Sequence, residues 1–241
     1  MPLINDTFTE AADTNLVNHV PDTGTGWTEE ENTTTAIQKV IAASDIVRAD
    51  AAKNSQRHIY SAQPNPSTVE YDIAATLKAV NTGAGGSDDS WFFVARFTDT
   101  SNFYSAGTYG GAAAADKKIF KEVAGVLTEL ASGDNGLAAN DTLEFRVRDA
   151  TKKLFHNGVE VLSTTDNALT SAGRAGFGLG NEWVSTDDIT TLYEADNFSV
   201  TEVGGVGQKP RRTLMGVGRS FILWLLPSGF LALLQRAGYE F

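Results

Sequence analysis

The alternation of apolar and polar residues over short runs is the feature that most limits how this chain can fold. The longest run is "VEYDIAATLKA", from Val69 to Ala79, in which every second residue is apolar. Successive side chains of a β-strand point to opposite faces, so this period predicts a half-buried strand. "TLEFRVRD" repeats the pattern and predicts a strand with one face in solvent. "SWFFVARFTD" is apolar on both faces from Trp91 to Val94, which predicts a central strand covered on both sides.

Shorter candidate strands recur at intervals of about ten residues, a spacing typical of a β-sandwich or barrel. They cover residues 37–42, 57–61, 102–108, 117–123, 126–131, 174–179 and 194–201. Asn157-Gly158 separates two of the runs and predicts a two-residue type I′ hairpin, because both residues tolerate a positive φ. Before residue 205 we find no pattern of a helix of normal length.

The composition limits what holds the chain together. Its 241 residues suffice for one well-buried core. Cysteine is absent, which excludes disulfide bonds and thiolate metal sites. The N-terminus "MPLINDTFTEAADTN" lacks the basic start and apolar stretch of a secretory signal, so we expect no signal peptide.

Charge divides the chain into two parts. Residues 1–208 carry 14 Lys and Arg against 29 Asp and Glu, whereas residues 209–241 carry 5 against 1. An acidic body repels phosphate backbones, which argues against nucleic acid as a partner. We therefore expect a domain over residues 1–203 and a basic, apolar C-terminal arm over residues 204–241.

The arm contains fourteen nearly uninterrupted apolar residues, from Phe221 to Leu234. This stretch is too short for a spanning helix, which needs about twenty residues. Three alternatives remain: docking on a neighbouring subunit, which is the leading expectation, binding at a membrane surface, or packing on its own domain. The residues expected to make these contacts are Arg211, Arg212, Arg219, Phe221, Trp224, Leu225, Phe230, Leu233 and Leu234.

Five segments of the chain form a recognisable series: "DTFTEAADTNLVNHVPDTGTGWT", "WFFVARFTDTSNFYSAG", "HNGVEVLSTTD", "GRAGFG" and "EADNFSV". Together they resemble the concanavalin A-like lectin/glucanase superfamily, in particular the laminin-G-like jelly-roll domains found in phage particle proteins. The resemblance covers about residues 5–201 and implies an all-β, antiparallel jelly-roll sandwich, followed by an extended or short-helical arm. It also implies that the first and last strands, near Phe8 and Phe198, pair side by side. A structural calcium ion held by Asp196 with Asp6 is a further expectation.

Candidate sites are few. If such a sandwich binds sugars, exposed aromatic rings would stack on them, and the rings nearest to loops are Trp27, Tyr104, Tyr109 and Trp183. Core packing or loop anchoring is the alternative for each. The glucanases of this superfamily place alternate carboxylates on one strand; Glu194 and Asp196 match in part, but the second catalytic glutamate is missing. We therefore expect no enzyme activity.

The leading hypothesis from the sequence is a structural or interaction protein of a bacteriophage or virus particle. It would decorate the capsid or tail at the virion surface, attached through its arm to other particle subunits or to copies of itself. The alternative is a lectin-like module that binds surface glycans. A glycoside hydrolase or lyase is the third hypothesis.

Overall fold

Two stacked antiparallel β-sheets form the computed structural model, which describes residues 1–32, 38–49, 57–80, 89–109, 116–133, 136–181 and 193–203. The first eight strands are β1 (Ile4–Asp6), β2 (Thr14–Asn15), β3 (Gly26–Asn32), β4 (Gln38–Ile41), β5 (Ile46–Ala49), β6 (His58–Gln63), β7 (Tyr71–Ala79) and β8 (Asp89–Asp99). The other eight are β9 (Asn102–Tyr109), β10 (Asp116–Val123), β11 (Val126–Gly133), β12 (Asp141–Arg148), β13 (Thr151–His156), β14 (Val159–Thr165), β15 (Arg174–Asn181) and β16 (Glu194–Glu202). A single 3-10 turn, Leu16–Asn18, is the one helical element within the described ranges.

The sixteen strands named above form two sheets, sheet I and sheet II. Sheet I runs β14-β13-β12-β7-β16-β5-β4-β2, and β1 pairs with β16 beside that path. Sheet II runs β11-β10-β9-β8-β15-β6-β3. The chain crosses repeatedly between the two sheets, and the all-β sandwich predicted from the sequence is confirmed.

Alternation along the strands builds the core. In β7, Tyr71, Ile73 and Leu77 are buried, while Asp72 and Lys78, at the alternate positions, stay partly exposed. The inward-facing residues of β12 meet the same core and its Glu and Arg residues face out, so the predicted solvent face of this strand is confirmed. Burial of this apolar surface is the main term that stabilises such a sandwich.

Strand β8 occupies the centre of sheet II, as its doubly apolar sequence predicts. Trp91 and Phe93 join the core between the sheets. Phe92 and Val94 face the opposite side of sheet II, where they belong to a second buried cluster. The members of this cluster are Ile59, Phe92, Val94, Phe97, Phe103, Tyr109 and Phe120.

The two ends of the described chain lie side by side. Strand β1 pairs with β16 in a register that sets Asp6 opposite Phe198, so the expected pairing of first and last strands is confirmed. The predicted hairpin is also present: Asn157 and Gly158 have φ values of 48° and 78° between β13 and β14.

Several sequence-based expectations fall on other parts of the chain. Residues 204–241, which include every residue proposed for the arm, lie outside the described residues, and so does Trp183. Within the described ranges, no helix is long and apolar enough to cross a membrane.

Candidate binding site

Three of the four aromatic residues proposed to meet a sugar lie in the protein interior. Trp27, Tyr104 and Tyr109 are 5%, 0% and 3% exposed. Trp27 packs edge-on against Phe198 and Phe177 at centroid distances of 4.9 and 5.2 Å. Rings enclosed in this way offer no free face to a saccharide, which favours the core-packing alternative for these three residues.

Asp6, one of the two proposed calcium ligands, is the centre of a buried hydrogen-bond cluster. Its Oδ1 accepts from the backbone N–H of Phe8 at 2.7 Å and lies 2.8 Å from Nε2 of His19. Its Oδ2 accepts from the indole N–H of Trp27 at 2.7 Å. The other ring nitrogen of His19, Nδ1, lies 2.7 Å from Oε1 of Glu10. Protein donors thus engage both oxygens of Asp6.

Asp196, the second proposed ligand, has different partners. Its carboxylate lies 3.3 Å from Nζ of Lys78 and accepts from the backbone N–H of Asn197 at 2.6 Å. Among the residues that the structure describes, no group of three or more His, Cys, Asp or Glu side chains is placed to hold a metal ion. These contacts give no support to a calcium ion shared by Asp6 and Asp196, which stays a prediction.

The two carboxylates of the partial glucanase pattern, Glu194 and Asp196, also have basic partners. Glu194 forms an ion pair of 3.1 Å with Arg48, and Asp196 pairs with Lys78. Ala195 between them is buried, so the two carboxylates lie on the outer side of sheet I. Each has a fixed basic neighbour.

A different group of charged residues gathers on the outer face of sheet II, and two β-bulges place it there. In β8 the pairing shifts after Ala95, and Arg96 has a φ of 50°. The bulge turns the Arg96 side chain towards the carbonyl oxygens of Val69, Asp149 and Leu169. The next residue, Phe97, then lies on the outer face, because a bulge reverses the alternation of the strand.

The second bulge lies in the edge strand β3, within the run Glu29-Glu30-Glu31. The pairing with β6 shifts between Glu29 and Glu31. Glu30 accepts a hydrogen bond of 2.5 Å from Ser61 and forms an ion pair of 3.2 Å with Nε of Arg174. Glu31 accepts from Nε of Arg57 at 2.7 Å. The extra residue thus brings two consecutive glutamates to the same pair of arginines.

Arg57 and Arg174 stand over two phenylalanine rings that touch. The guanidinium of Arg57 lies 5.0 Å from the ring centroid of Phe103, and that of Arg174 lies 4.9 Å from that of Phe97. The two ring centroids are 5.6 Å apart. Contacts of this length are favourable cation–π interactions, and they set the two cations side by side.

Backbone carbonyls at the end of β8 and in the turn to β9 hold the same two arginines. Nη2 of Arg57 donates to the carbonyl oxygen of Thr100 at 2.9 Å, and Nη2 of Arg174 donates to that of Thr98 at 2.9 Å. Nη1 of Arg57 also donates to Glu122 of β10. We name Arg57, Arg174, Glu30, Glu31 and Glu122 the arginine–glutamate cluster.

The contacts of Arg57 show that the outer face of sheet II is concave. Four strands separate β3, which carries Glu31, from β10, which carries Glu122. In a flat sheet these two strands would be about 24 Å apart. One guanidinium bonds to both glutamates, so the sheet must curve and twist towards this face.

The cluster is charged but still open to solvent. The side chains of Arg57 and Arg174 are 25% and 28% exposed, against 9% for Glu30 and Glu122. Burial acts to lower the pKa of Arg57, but the hydrogen bonds and charges of Glu31 and Glu122 outweigh it and raise that pKa. Arg57 therefore remains charged, and both guanidiniums are reachable from solvent on this face.

No residue of this cluster is among the candidate site residues that the sequence predicts. Arg57 and Arg174 appear in the sequence patterns only as the first residues of candidate strands. Three consecutive glutamates inside a strand break the alternation of polar and apolar residues, and this was the available sign of a bulge. The partners of these glutamates come from distant parts of the chain, 26 and 144 residues away.

Comparison with known proteins gives the fold. No family model and no curated protein sequence matches this chain. The Bacillus licheniformis β-glucanase superposes with a TM-score of 0.55 at 12% identity, over 81% of this chain and 100% of its own. This chain has the concanavalin A-like jelly-roll fold.

Two further solved structures with this fold have names that refer to sugars. The exoplasmic/lumenal domain of VIP36, in a Ca2+/Man2-bound form, gives a TM-score of 0.56 at 12% identity over 81% of this chain and 88% of its own. The carbohydrate-binding module CBM66 of Bacillus subtilis gives 0.51 at 15% identity over 75% of this chain and 97% of its own. At these identities the concanavalin A-like likeness establishes the fold alone.

Proposed function

We propose that this protein is a carbohydrate-binding module that acts without catalysis and binds its ligand at the arginine–glutamate cluster. The observation that carries the proposal is the concave outer face of sheet II, where two partly exposed guanidiniums stand beside three carboxylates. The concanavalin A-like relatives support it, because one is named as a carbohydrate-binding module and another is described in a Man2-bound form.

The chemistry of a saccharide fits such a face. Each sugar hydroxyl both donates and accepts a hydrogen bond, so it matches a site where an arginine N–H and a carboxylate oxygen are neighbours. Hydrogen bonds to charged groups are also stronger than neutral ones, at about 1.5–3 kcal/mol each. Phe97 and Phe103 fix the two cations from below, which limits the entropy lost when a ligand binds.

The test uses the full chain on a glycan array, followed by calorimetric titration of the saccharides that bind. Arg57→Gln and Arg174→Gln should each weaken binding at least about tenfold, because each removes charged donors from the groove. The matched control is Arg146→Gln on the outer face of sheet I. Arg146 likewise bonds to a glutamate, Glu144, and stacks on an aromatic ring, Phe155, at 3.8 Å.

Circular dichroism and thermal unfolding of each variant separate a lost contact from a lost fold. The proposal fails if a folded full chain binds no saccharide, or if Arg146→Gln weakens binding as much as the two cluster variants do. The structural role in a virus particle that the sequence suggested depends on residues outside the described ranges and stays a prediction.

A further inference from the structure

We infer that the ligand of the arginine–glutamate cluster is an uncharged saccharide that presents adjacent hydroxyl groups, and that the cluster excludes acidic saccharides. This inference rests on the proposed function and names its substrate class. It follows from the hydrogen bonds that the cluster leaves unmade and from its balance of charge.

Arg57 and Arg174 keep donors for a ligand. A guanidinium carries five N–H groups. Arg57 uses three of them, for Glu31, Glu122 and the carbonyl oxygen of Thr100, so two remain among its contacts with described residues. Arg174 donates from Nη2 to Thr98, and its Nη1 makes no hydrogen bond within the described ranges.

The three glutamates keep acceptors beside those donors. Glu31 and Glu122 each engage Oε2 with Arg57, and Glu30 engages Oε1 with Ser61 and Arg174. The second oxygen of each carboxylate has no hydrogen-bond partner in the part of the chain that the structure describes. The cluster therefore holds both donors and acceptors for a ligand, and a pair of neighbouring hydroxyls can donate to a carboxylate while accepting from an arginine.

The charge of the cluster opposes an anionic ligand. Two guanidiniums face three carboxylates, which leaves an excess of one negative charge. Each arginine already forms an ion pair with a carboxylate, so an acidic sugar would meet like charge rather than an unpaired cation. The surrounding acidic domain adds to this repulsion.

The experiment compares neutral glycans with sialylated, sulfated and uronate-containing glycans on one array, using the full chain at low ionic strength. We expect binding to neutral glycans and weaker binding to each acidic counterpart. Glu122→Gln and Glu31→Gln keep a hydrogen-bonding side chain but remove one negative charge. Each should therefore raise the affinity for acidic glycans relative to neutral ones by about fivefold. Added salt should reduce the discrimination of the unmodified protein.

The control is Glu144→Gln, which removes the matching carboxylate from the outer face of sheet I and should leave the ratio unchanged. Equal or tighter binding of acidic glycans by the unmodified protein would overturn this inference and leave the carbohydrate-binding proposal intact. An unchanged ratio in Glu122→Gln and Glu31→Gln would also overturn it. Failure of the folded protein to bind any glycan would instead refute the proposed function.

Discussion

The imidazole ring of His19 must be protonated to donate a hydrogen bond to each of its two carboxylate partners. Both ring nitrogens lie within 2.8 Å of carboxylate oxygens, one from Asp6 and one from Glu10. Only the imidazolium carries N–H groups on both nitrogens, so only the protonated ring donates to both carboxylates. Burial acts to lower the pKa of His19, but the hydrogen bonds that the ring donates to these two carboxylates, together with their negative charges, outweigh it and raise that pKa above 6.5.

The pH dependence of this cluster is testable. A raised pKa in the folded protein means that the stabilisation is complete below about pH 6.5 and is lost as the pH rises through the folded value. His19→Gln should therefore lower the free energy of unfolding by about 1–3 kcal/mol at pH 5.5, and by less at pH 9. Urea titration of both proteins at the two pH values measures this. A loss that is the same at both would show that the ring charge contributes nothing.

Gly173 makes the bulge in β8 possible. It has a φ of 62°, and a Cβ built on it would lie 2.4 Å from the carbonyl carbon of Arg96. Gly173→Ala should lower the free energy of unfolding by about 2 kcal/mol or more and weaken ligand binding, because Arg174 is the next residue. Gly158→Ala is the control, since Gly158 has a φ of 78° but no atom within 4 Å of its Cβ position. Equal losses of stability in the two variants would show that the positive φ alone causes the loss, and that the contact with Arg96 contributes nothing.

Within single strands, the sequence predicted the alternation of apolar and polar residues well, but it did not predict the β-bulges that interrupt this alternation. The pattern from Val69 to Ala79 located β7 because neighbouring residues alone determine which side of a strand is apolar. Arg96 and Glu30 interrupt such patterns. Their positions depend on hydrogen-bond partners far away in the sequence: Arg96 donates to the carbonyl oxygen of Leu169, and Glu30 accepts from the hydroxyl of Ser61. A local pattern contains no information on these partners.

Asp166 ties two strands of sheet II to the segment that follows β14. It accepts hydrogen bonds from Lys121 of β10, Tyr104 of β9 and the backbone N–H of Ala168. Burial acts to raise the pKa of Asp166, but these three hydrogen bonds outweigh it and lower that pKa to about 2. The carboxylate therefore stabilises the folded state above its ordinary pKa of 3.8, and this stabilisation is lost as the pH falls through about 2.

Asp166→Asn should cost about 1–2 kcal/mol in the free energy of unfolding at pH 7 and much less at pH 2. Urea unfolding followed by tryptophan fluorescence at the two pH values measures the difference. Asp45→Asn, in the exposed turn between β4 and β5, is the control and should change little. If the Asp166→Asn loss is as large at pH 2 as at pH 7, the carboxylate charge is not what joins these strands.

For the whole molecule, composition and spacing were enough to predict the sandwich but not the face on which we propose that a ligand binds. Many short alternating strands without cysteine leave few ways to bury a core other than two packed sheets. The aromatic residues near strand ends did not point to the arginine–glutamate cluster, because Trp27 packs in the core between the sheets. The curvature of sheet II, which brings Glu31 and Glu122 to one guanidinium, is a property of the assembled sheet and has no local pattern in the sequence.

The described strands account for a complete sandwich without residues 206–241. The last strand, β16, ends at Glu202, and Val203 donates from its backbone N–H to the carbonyl oxygen of Glu70 at 3.0 Å. Residues Met1–Gly205 form one compact unit by their internal contacts. A chain ending at Gly205 should therefore fold on its own, unfold cooperatively and bind the same saccharides.

Light scattering of this shortened chain and of the full chain then tests the role expected for the arm. Discrete oligomers of the full chain beside monomers of the shortened one would confirm that residues 206–241 carry assembly, since apolar stretches of this length favour association. Monomers in both cases would contradict that role. A shortened chain that fails to unfold cooperatively would contradict the independence of the sandwich itself, since its own strands would then not suffice to hold the core closed.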